Sequence, residues 1–251
     1  MPPKPVSQTS LANPYLQPDS KWGFFIVRTA YGPSNDELWA QFLEILRTRV
    51  EYSLQVDDEL DLLPHHEITI IEDGATLCSA DSYTARRAFR AWVANDLLQQ
   101  LRGECLEELG GLAQVREKLL GNDAQNVPDT THPASLVPPR WKYCIFVDED
   151  CLHSVEKWPE EPEARDPAMK ILTTDWELEE EVDVPHMHIS RDWEGGETDD
   201  VSEEVGWMYM ETTEYVDMYD RLTGAFAWHE HYQRPHRNWI ENSSQYIEWG
   251  R

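Results

Sequence analysis

The sequence predicts one α+β domain whose mixed or antiparallel sheet carries two main helices. Three observations favour this class. Two apolar runs rich in aromatic and β-branched residues, 22–31 and 141–148, are typical of buried strands. Two longer stretches, 34–50 and 85–97, instead place apolar residues at helical spacing. Since helices alternate with strands along the chain, the order also allows a ferredoxin-like core with additions.

The first half of the chain contains a lead-in followed by strand, helix, strand and helix. Residues 1–20 are rich in Pro, Ser, Asn and Gln and predict a flexible lead-in, which leaves 21–251 as the single domain. The segment 34–37 fits a capping box at the start of the first helix, and 79–82 offers N-cap residues to the second. A strand is predicted between the two helices, at 68–72.

The second half contains shorter elements and one strongly acidic segment. Its predicted elements are a helical stretch at 104–120 that Gly110-Gly111 interrupts, a loop at 121–139, a strand at 141–148, a short helix at 152–158, strands at 169–176 and 205–210, and a helix at 215–222. The segment 177–204 is dominated by Glu and Asp, so self-repulsion predicts that it is solvated and mobile. The tail from Ala225 is rich in aromatic residues and histidines, and it allows an additional edge strand.

The net charge of the chain restricts its partners. The sequence holds 48 Asp plus Glu against 21 Lys plus Arg, a formal charge of −27. A protein that neutralises nucleic-acid phosphates needs clustered cations, so this charge argues against direct nucleic-acid binding. It disfavours attraction to an anionic membrane for the same reason. No apolar run reaches the length of a signal-peptide core or a membrane span, which predicts a cytoplasmic protein, with the nucleus as the alternative.

The cysteines predict neither a disulfide framework nor a metal-binding Cys-x-x-Cys pair. Cys78, Cys105, Cys144 and Cys151 are scattered along the chain. In a reducing compartment all of them are expected to be thiols. Cys144 lies inside the apolar run 141–148, and its position is typical of a small core residue.

Two His-x-His pairs are the candidate metal ligands, His186 with His188 and His229 with His231. In a strand this spacing places both imidazoles on one face, as a zinc or iron site requires, and a nearby carboxylate can complete the set. The alternative, which we favour, is that the four histidines are solvated or hydrogen-bonded and hold no metal. As catalytic residues they are weak candidates, and the sequence identifies no cofactor.

Arg28 and Asp148 are the remaining candidate site residues. Arg28 lies among apolar residues of the first strand, where an unpaired charge is costly, so it either pairs with a carboxylate or reaches a pocket. Asp148 follows the strand 141–147, a common position for catalytic groups. The alternative is that Asp148, Glu149 and Asp150 serve the following helix, with Asp150 at its cap.

The hydrophobic framework carries a resemblance to known sequences. Its segments are Trp22-Gly-Phe-Phe-Ile-Val-Arg-Thr-Ala-Tyr31, Trp39 with Phe42, Ile70-Ile-Glu-Asp73, Phe89-Arg-Ala-Trp92, Tyr143-Cys-Ile-Phe-Val-Asp148 and Val205-Gly-Trp-Met208. This framework resembles a family of uncharacterised acidic proteins of filamentous fungi. The family has no known activity, so the resemblance implies a cytosolic globular protein and assigns no catalytic residue, cofactor or partner.

Two functions are compatible with the sequence. The first is a non-enzymatic interaction protein whose acidic surface binds a basic protein or peptide. The second is an enzyme with a pocket between sheet and helices that uses histidines and carboxylates, with or without a metal. The first is favoured because the sequence contains no Gly-x-Ser-x-Gly elbow, no Gly-x-Gly-x-x-Gly loop, no phosphate-binding P-loop and no His-Glu-x-x-His helix.

Overall fold

The computed structural model describes residues 13–18, 20–120, 137–157, 166–174, 205–223 and 227–235. Most of the predicted lead-in, most of the loop 121–139 and all of the acidic segment 177–204 lie outside the described residues. The strands are β1 (Phe25–Arg28), β2 (Thr69–Ile71), β3 (Tyr143–Val147), β4 (Ala168–Thr173) and β5 (Trp207–Glu211). The α-helices are α1 (Pro33–Val56), α2 (Gly74–Leu77), α3 (Ser82–Gln100), α4 (Gly103–Glu108), α5 (Leu112–Leu120), α6 (Glu149–Lys157), α7 (Tyr215–Arg221) and α8 (Ala227–His231). Short 3₁₀ helices cover Leu60–His65, Pro139–Trp141 and Thr212–Glu214.

The five strands form one mixed sheet in the order β2-β1-β3-β4-β5. β1 is parallel to both of its neighbours, β2 and β3, whereas β4 and β5 are added antiparallel. The predicted α+β class with a mixed sheet is confirmed. The core is not ferredoxin-like, however, because that topology places an antiparallel strand between its parallel strands, and here the parallel strands are direct neighbours.

Helices cover both faces of the sheet, so the described part of the chain has three layers. Phe24 and Ile26 belong to the core that α1, α6, α7 and α8 cover. Phe25 and Val27 alternate with them and belong to the opposite core, under α3 and α5. This double coverage explains why β1 is apolar without a polar alternation. The two predicted main helices, α1 and α3, therefore pack on opposite faces.

The two long helices begin in different ways. α1 begins at Pro33, where a missing N–H is harmless, and its N-cap Gly32 makes no side-chain hydrogen bond. The capping box predicted for this helix is therefore wrong. α3 follows Asp81, whose Oδ1 accepts a 2.7 Å hydrogen bond from the Thr84 amide. The predicted N-cap of the second helix is confirmed.

Two further sequence expectations concern the Gly110-Gly111 segment and the tail. The predicted interruption is confirmed, because Gly110 and Gly111 have φ of 95° and 89° between α4 and α5. In the tail, the described residues of α8 are helical, so this part of the tail does not form the edge strand that the sequence allowed. The edges of the sheet are β2 and β5.

Arg86 of α3 is a buried cation that stabilises the fold. Arg86 is 2% exposed and donates hydrogen bonds to the carbonyl oxygens of Thr173 at 2.9 Å and Gly206 at 2.8 Å. It also donates to the carbonyl of Val205 at 3.2 Å. One guanidinium thus joins α3 to the end of β4 and to the chain entering β5.

Replacement of this arginine is expected to destabilise the protein. Arg86→Met removes the guanidinium donors from the buried carbonyls of Thr173, Val205 and Gly206, of which Gly206 keeps a bond from the Thr173 amide, so the free energy of unfolding should fall by about 3 kcal/mol. Arg87 is exposed and donates one bond to Thr84 Oγ1, so Arg87→Met should stay within about 0.5 kcal/mol of the parent. Urea unfolding measures both, and equal losses in the two variants would contradict the anchoring role of Arg86.

His66 is a half-buried residue on the α1 side of the sheet, and its imidazole packs against the core. Its ring lies 4.6 Å from that of Trp22, and its Nε2 lies 3.4 Å from Tyr215 Oη. Gly23, at φ 110°, allows this packing because a Cβ there would lie 2.8 Å from the imidazole. Burial, and then the charge of Arg140, lowers the pKa of His66 from 6.5 to about 4.

The lowered pKa of His66 predicts a specific acid sensitivity. The folded protein keeps His66 neutral, whereas the unfolded chain protonates it below pH 6.5. The contribution of the neutral imidazole to the unfolding free energy is therefore complete above pH 6.5 and disappears as the pH falls towards about 4. From about pH 7 to about pH 5, the parent should lose about 1–2 kcal/mol more unfolding free energy than His66→Gln. The exposed His153 provides the control: His153→Gln should follow the parent in the same urea series. Parallel curves for parent and His66→Gln would refute the prediction.

Candidate functional site

The carboxyl ends of β1 and β3 mark the place where a ligand site is expected in this topology. The chain leaves β1 towards β2 on one side and leaves β3 towards β4 on the other. Diverging connections leave a crevice outside the strand ends, and open sheets bind their ligands at such switch points.

A cavity of about 530 Å³ lies at this crevice. Residues 29–31 after β1 and 148–150 after β3 line it, and residues 78–82 before α3 form a further wall. Asn35 of α1, Phe146 of β3, Lys170 of β4 and Trp207 of β5 complete the lining. Polar side chains predominate, so the cavity is chemically distinct from the two apolar cores.

Backbone contacts fix the walls of the cavity to one another. The Val147 carbonyl accepts from the Thr29 amide at 3.0 Å and from Thr29 Oγ1 at 3.2 Å. The Ser79 amide in turn donates to the Thr29 carbonyl at 2.8 Å. Ser79 has a φ of 54°, a left-handed conformation that is unfavourable for a residue with a side chain. Strained residues of this kind cluster at functional sites, and this one lines the cavity.

Lys170 places a buried cation in the wall of the cavity. Its side chain is 9% exposed, and its Nζ forms an ion pair with Asp148. Asp150 Oδ2 lies 3.9 Å from the same nitrogen. The ammonium also lies 4.8 Å from the centre of the Trp207 ring, within the range of a cation–π interaction.

Asp148 joins this ion pair to the start of a helix. While its Oδ2 pairs with Lys170, its Oδ1 accepts a 3.1 Å hydrogen bond from the Cys151 amide. The sequence predicts Asp150 as the cap, and that prediction is wrong, because a cap at Asp150 requires the helix to begin at Cys151 and α6 begins two residues earlier, at Glu149. Asp148 is therefore both the helix cap and the partner of the buried lysine.

The protonation states of the surrounding groups follow from burial and charge. Burial acts to lower the pKa of Lys170, but the Asp148 carboxylate outweighs it and the pKa is raised. Burial, reinforced by the Asp148 charge, raises the pKa of the Cys151 thiol. Burial likewise raises the pKa of Tyr209. At neutral pH Lys170 is therefore an ammonium, and the buried Cys151 thiol and the Tyr209 phenol behind the cavity wall are neutral, so neither of these two is an activated nucleophile.

The lining of the cavity carries more negative than positive groups. Its carboxylates are Asp81, Asp148, Glu149 and Asp150, and its cation is Lys170. Asp81 and Asp148 occupy the positive ends of α3 and α6 as caps. Glu149 and Asp150 are exposed in the first turn of α6.

Arg28, the sequence candidate on β1, is a structural ion-pair centre. Its guanidinium pairs with Asp36 and with Glu72, the latter at 2.8 Å, and its Nε donates to the Ala30 carbonyl at 2.8 Å. Of the two expectations for this residue, the internal ion pair is confirmed. These contacts hold the start of α1 and the end of β2 beside the cavity.

The candidate histidines do not form a site in the described residues. His229 and His231 lie on α8, where positions two residues apart do not share a face, so the shared strand face assumed for them is wrong. His186 and His188 lie outside the described residues. No group of three His, Cys, Asp or Glu side chains able to hold a metal occurs among residues that the structure describes.

The four cysteines are free thiols in distinct environments. Cys78 is exposed and lines the cavity, whereas Cys105 on α4 is half-buried and lies outside it. Cys144 and Cys151 are fully buried, which confirms the core position predicted for Cys144.

No family model, no curated protein and no solved structure matches this chain. The resemblance to acidic fungal proteins therefore stays a prediction, and the site rests on its own geometry. Within the described ranges, no helix is both long enough and apolar enough to cross a bilayer.

The ion pair of Lys170 and Asp148 generates a stability prediction. Lys170→Met leaves a partly buried carboxylate without its cation, so the unfolding free energy should fall by about 3 kcal/mol. Asp148→Asn added to that variant should recover at least about 1 kcal/mol, because asparagine still caps α6 and no charge is stranded. A double-mutant cycle by urea unfolding measures the coupling, and strictly additive losses would show that the pair does not act as a unit.

Proposed function

We propose that this protein binds a small polar molecule in the cavity between the carboxyl ends of β1 and β3. The observation that carries the proposal is the position of a polar-lined cavity of about 530 Å³ at the topological switch point. Its volume lies within the ~300–1,000 Å³ typical of small-molecule sites. Rigid strand ends and the buried Lys170 supply fixed polar groups, which a specific site requires.

This proposal develops the pocket alternative of the sequence analysis without its histidines. The polar groups that line the cavity are carboxylates, hydroxyls, the Asn35 amide, the Cys78 thiol and one lysine, and no described histidine is among them. The fixed polar groups of the cavity are the features that recognition of a ligand requires, so the proposal is one of binding rather than of a particular reaction.

The expected basic protein partner stays a prediction. One structural feature favours it as a second function: Arg28, Arg86, Arg140 and Lys170 are buried, which leaves the described surface more acidic than the composition alone suggests. An acidic cytoplasmic protein of this kind would meet a cationic partner at an electrostatically increased rate.

Cys78 provides a direct test of the cavity, because its exposed thiol lines the site while Cys105 does not. We expect at least one compound from a set of polar metabolites to raise the melting temperature of the full chain. That compound should slow alkylation of Cys78 by iodoacetamide about tenfold or more and leave the rate at Cys105 unchanged, as read by mass spectrometry.

A matched pair of variants separates the cavity from the outer surface. Ala80→Trp fills the cavity, whereas Ala113→Trp adds the same ring at an exposed position of α5. The stabilising compound should raise the melting temperature of Ala113→Trp as it does for the parent and have no effect on Ala80→Trp. The proposal is wrong if no compound stabilises the chain, or if stabilisers leave the Cys78 rate unaltered.

A further inference from the structure

We infer that the cavity selects a protonated amine that also carries hydroxyl oxygens, as an amino sugar does. The inference rests on the proposed function and specifies the chemical class of its ligand. It follows from the charges of the lining, from the helix caps beside the cavity and from the hydrogen-bonding capacity left on Lys170.

Anionic ligands are disfavoured by the way the helices begin. The N-termini of α3 and α6 reach the cavity, and such ends bind phosphate or carboxylate when they are open. Here Asp81 accepts from the Thr84 amide and Asp148 from the Cys151 amide, so each positive end already holds an anion of the chain itself. An incoming phosphate would therefore be repelled by a carboxylate at each of these helix ends.

Glu149 and Asp150 provide the complementary charge for an ammonium group. Both line the cavity and are exposed, so the fold does not need either carboxylate to compensate a buried cation. Among the described residues Glu149 has no ion pair, and Asp150 has only the 3.9 Å approach to Lys170. Because both carboxylates line the cavity, a ligand ammonium bound there would gain a favourable charge interaction with each of them without breaking a close ion pair.

Lys170 provides hydrogen-bond donors for neutral oxygens. An ammonium has three N–H donors, and among the described residues one of them is used, by Asp148. Asp150 at 3.9 Å is beyond hydrogen-bond distance, and the Trp207 ring offers a π face rather than a lone pair. Because Asp148 already balances the charge of Lys170, hydroxyl oxygens suit the remaining donors without adding a second anion.

The inference is tested with three sugars of similar size and different charge. Glucosamine, glucose and glucuronate are titrated into the full chain by calorimetry at low ionic strength and about pH 6.5, where the amine is protonated. Charge interactions with two exposed carboxylates, each worth about twofold to fivefold, predict that glucosamine binds about tenfold more tightly than glucose. Glucuronate should bind more weakly than glucose.

A pair of charge-matched double variants locates the effect. Glu149→Gln with Asp150→Asn should weaken glucosamine about tenfold, to the level of glucose, and leave glucose unchanged. Glu107→Gln with Glu108→Gln removes the same charge from exposed positions of α4 and should change neither affinity. Equal effects of the two double variants would overturn the inference, because the preference would then come from the overall charge of the chain.

The role of Lys170 has its own measurement. In the Lys170→Met, Asp148→Asn variant, which strands no charge, glucose and glucosamine should weaken by a similar factor. If that variant does not fold, the rim variants still decide the ligand class. The inference fails if glucuronate binds best or if none of the three sugars binds; in the latter case, protection of Cys78 by another compound would leave the proposed function standing.

Discussion

The ion pair between Lys170 and Asp148 is the interaction on which the site and its surroundings depend. A buried ammonium is tolerated only when a carboxylate and an electron-rich ring replace its water, and Asp148 and Trp207 provide them. Because Asp148 also caps α6, the same carboxylate fixes the end of β3, the start of α6 and the middle of β4. These are the elements that form one side of the cavity.

The other buried cations likewise bind oxygen atoms near the ends of other strands. Arg86 binds carbonyls where β4 ends and the chain enters β5, and Arg140 donates to the carbonyls of Gly23 and Glu67 at the start of β1 and before β2. Arg28 is held by Asp36 and Glu72 at the carboxyl end of β1. A chain with a net charge of −27 thus buries several of its few cationic side chains. Inside the protein, each of them forms hydrogen bonds with polar groups of the connecting segments that water would otherwise form. Burial of these cations therefore has two effects: it fixes the strand ends, and it leaves the surface more acidic.

Periodicity was sufficient to predict the elements but not their arrangement. The unbroken apolar runs identified β1 and β3, and the helical spacing identified α1 and α3, because burial imposes these patterns directly. Strand order depends on long-range pairing that leaves little trace in one sequence, so the parallel neighbours and the cavity between them were not foreseen. The histidine pairs show the same limit: their spacing brings imidazoles together in a strand, and the chain at 227–231 is helical.

The site residues also differ in whether the sequence carries a signal for them. The sequence identifies Arg28 as a cation within an apolar strand, and the same pattern marks Lys170 in Ala168-Met-Lys-Ile-Leu172, which the sequence analysis does not include among the candidates. The left-handed Ser79 has no sequence signal, since serine is compatible with ordinary turns.

The central claim, that the cavity between β1 and β3 is the ligand site, is tested most directly by mapping amide chemical shifts of the full chain while glucosamine is added. The account predicts that the shifted amides cluster at residues 29–31, 78–82 and 148–150, around the cavity. Shifts confined to exposed acidic helices such as α4, with those three segments unaffected, would contradict it.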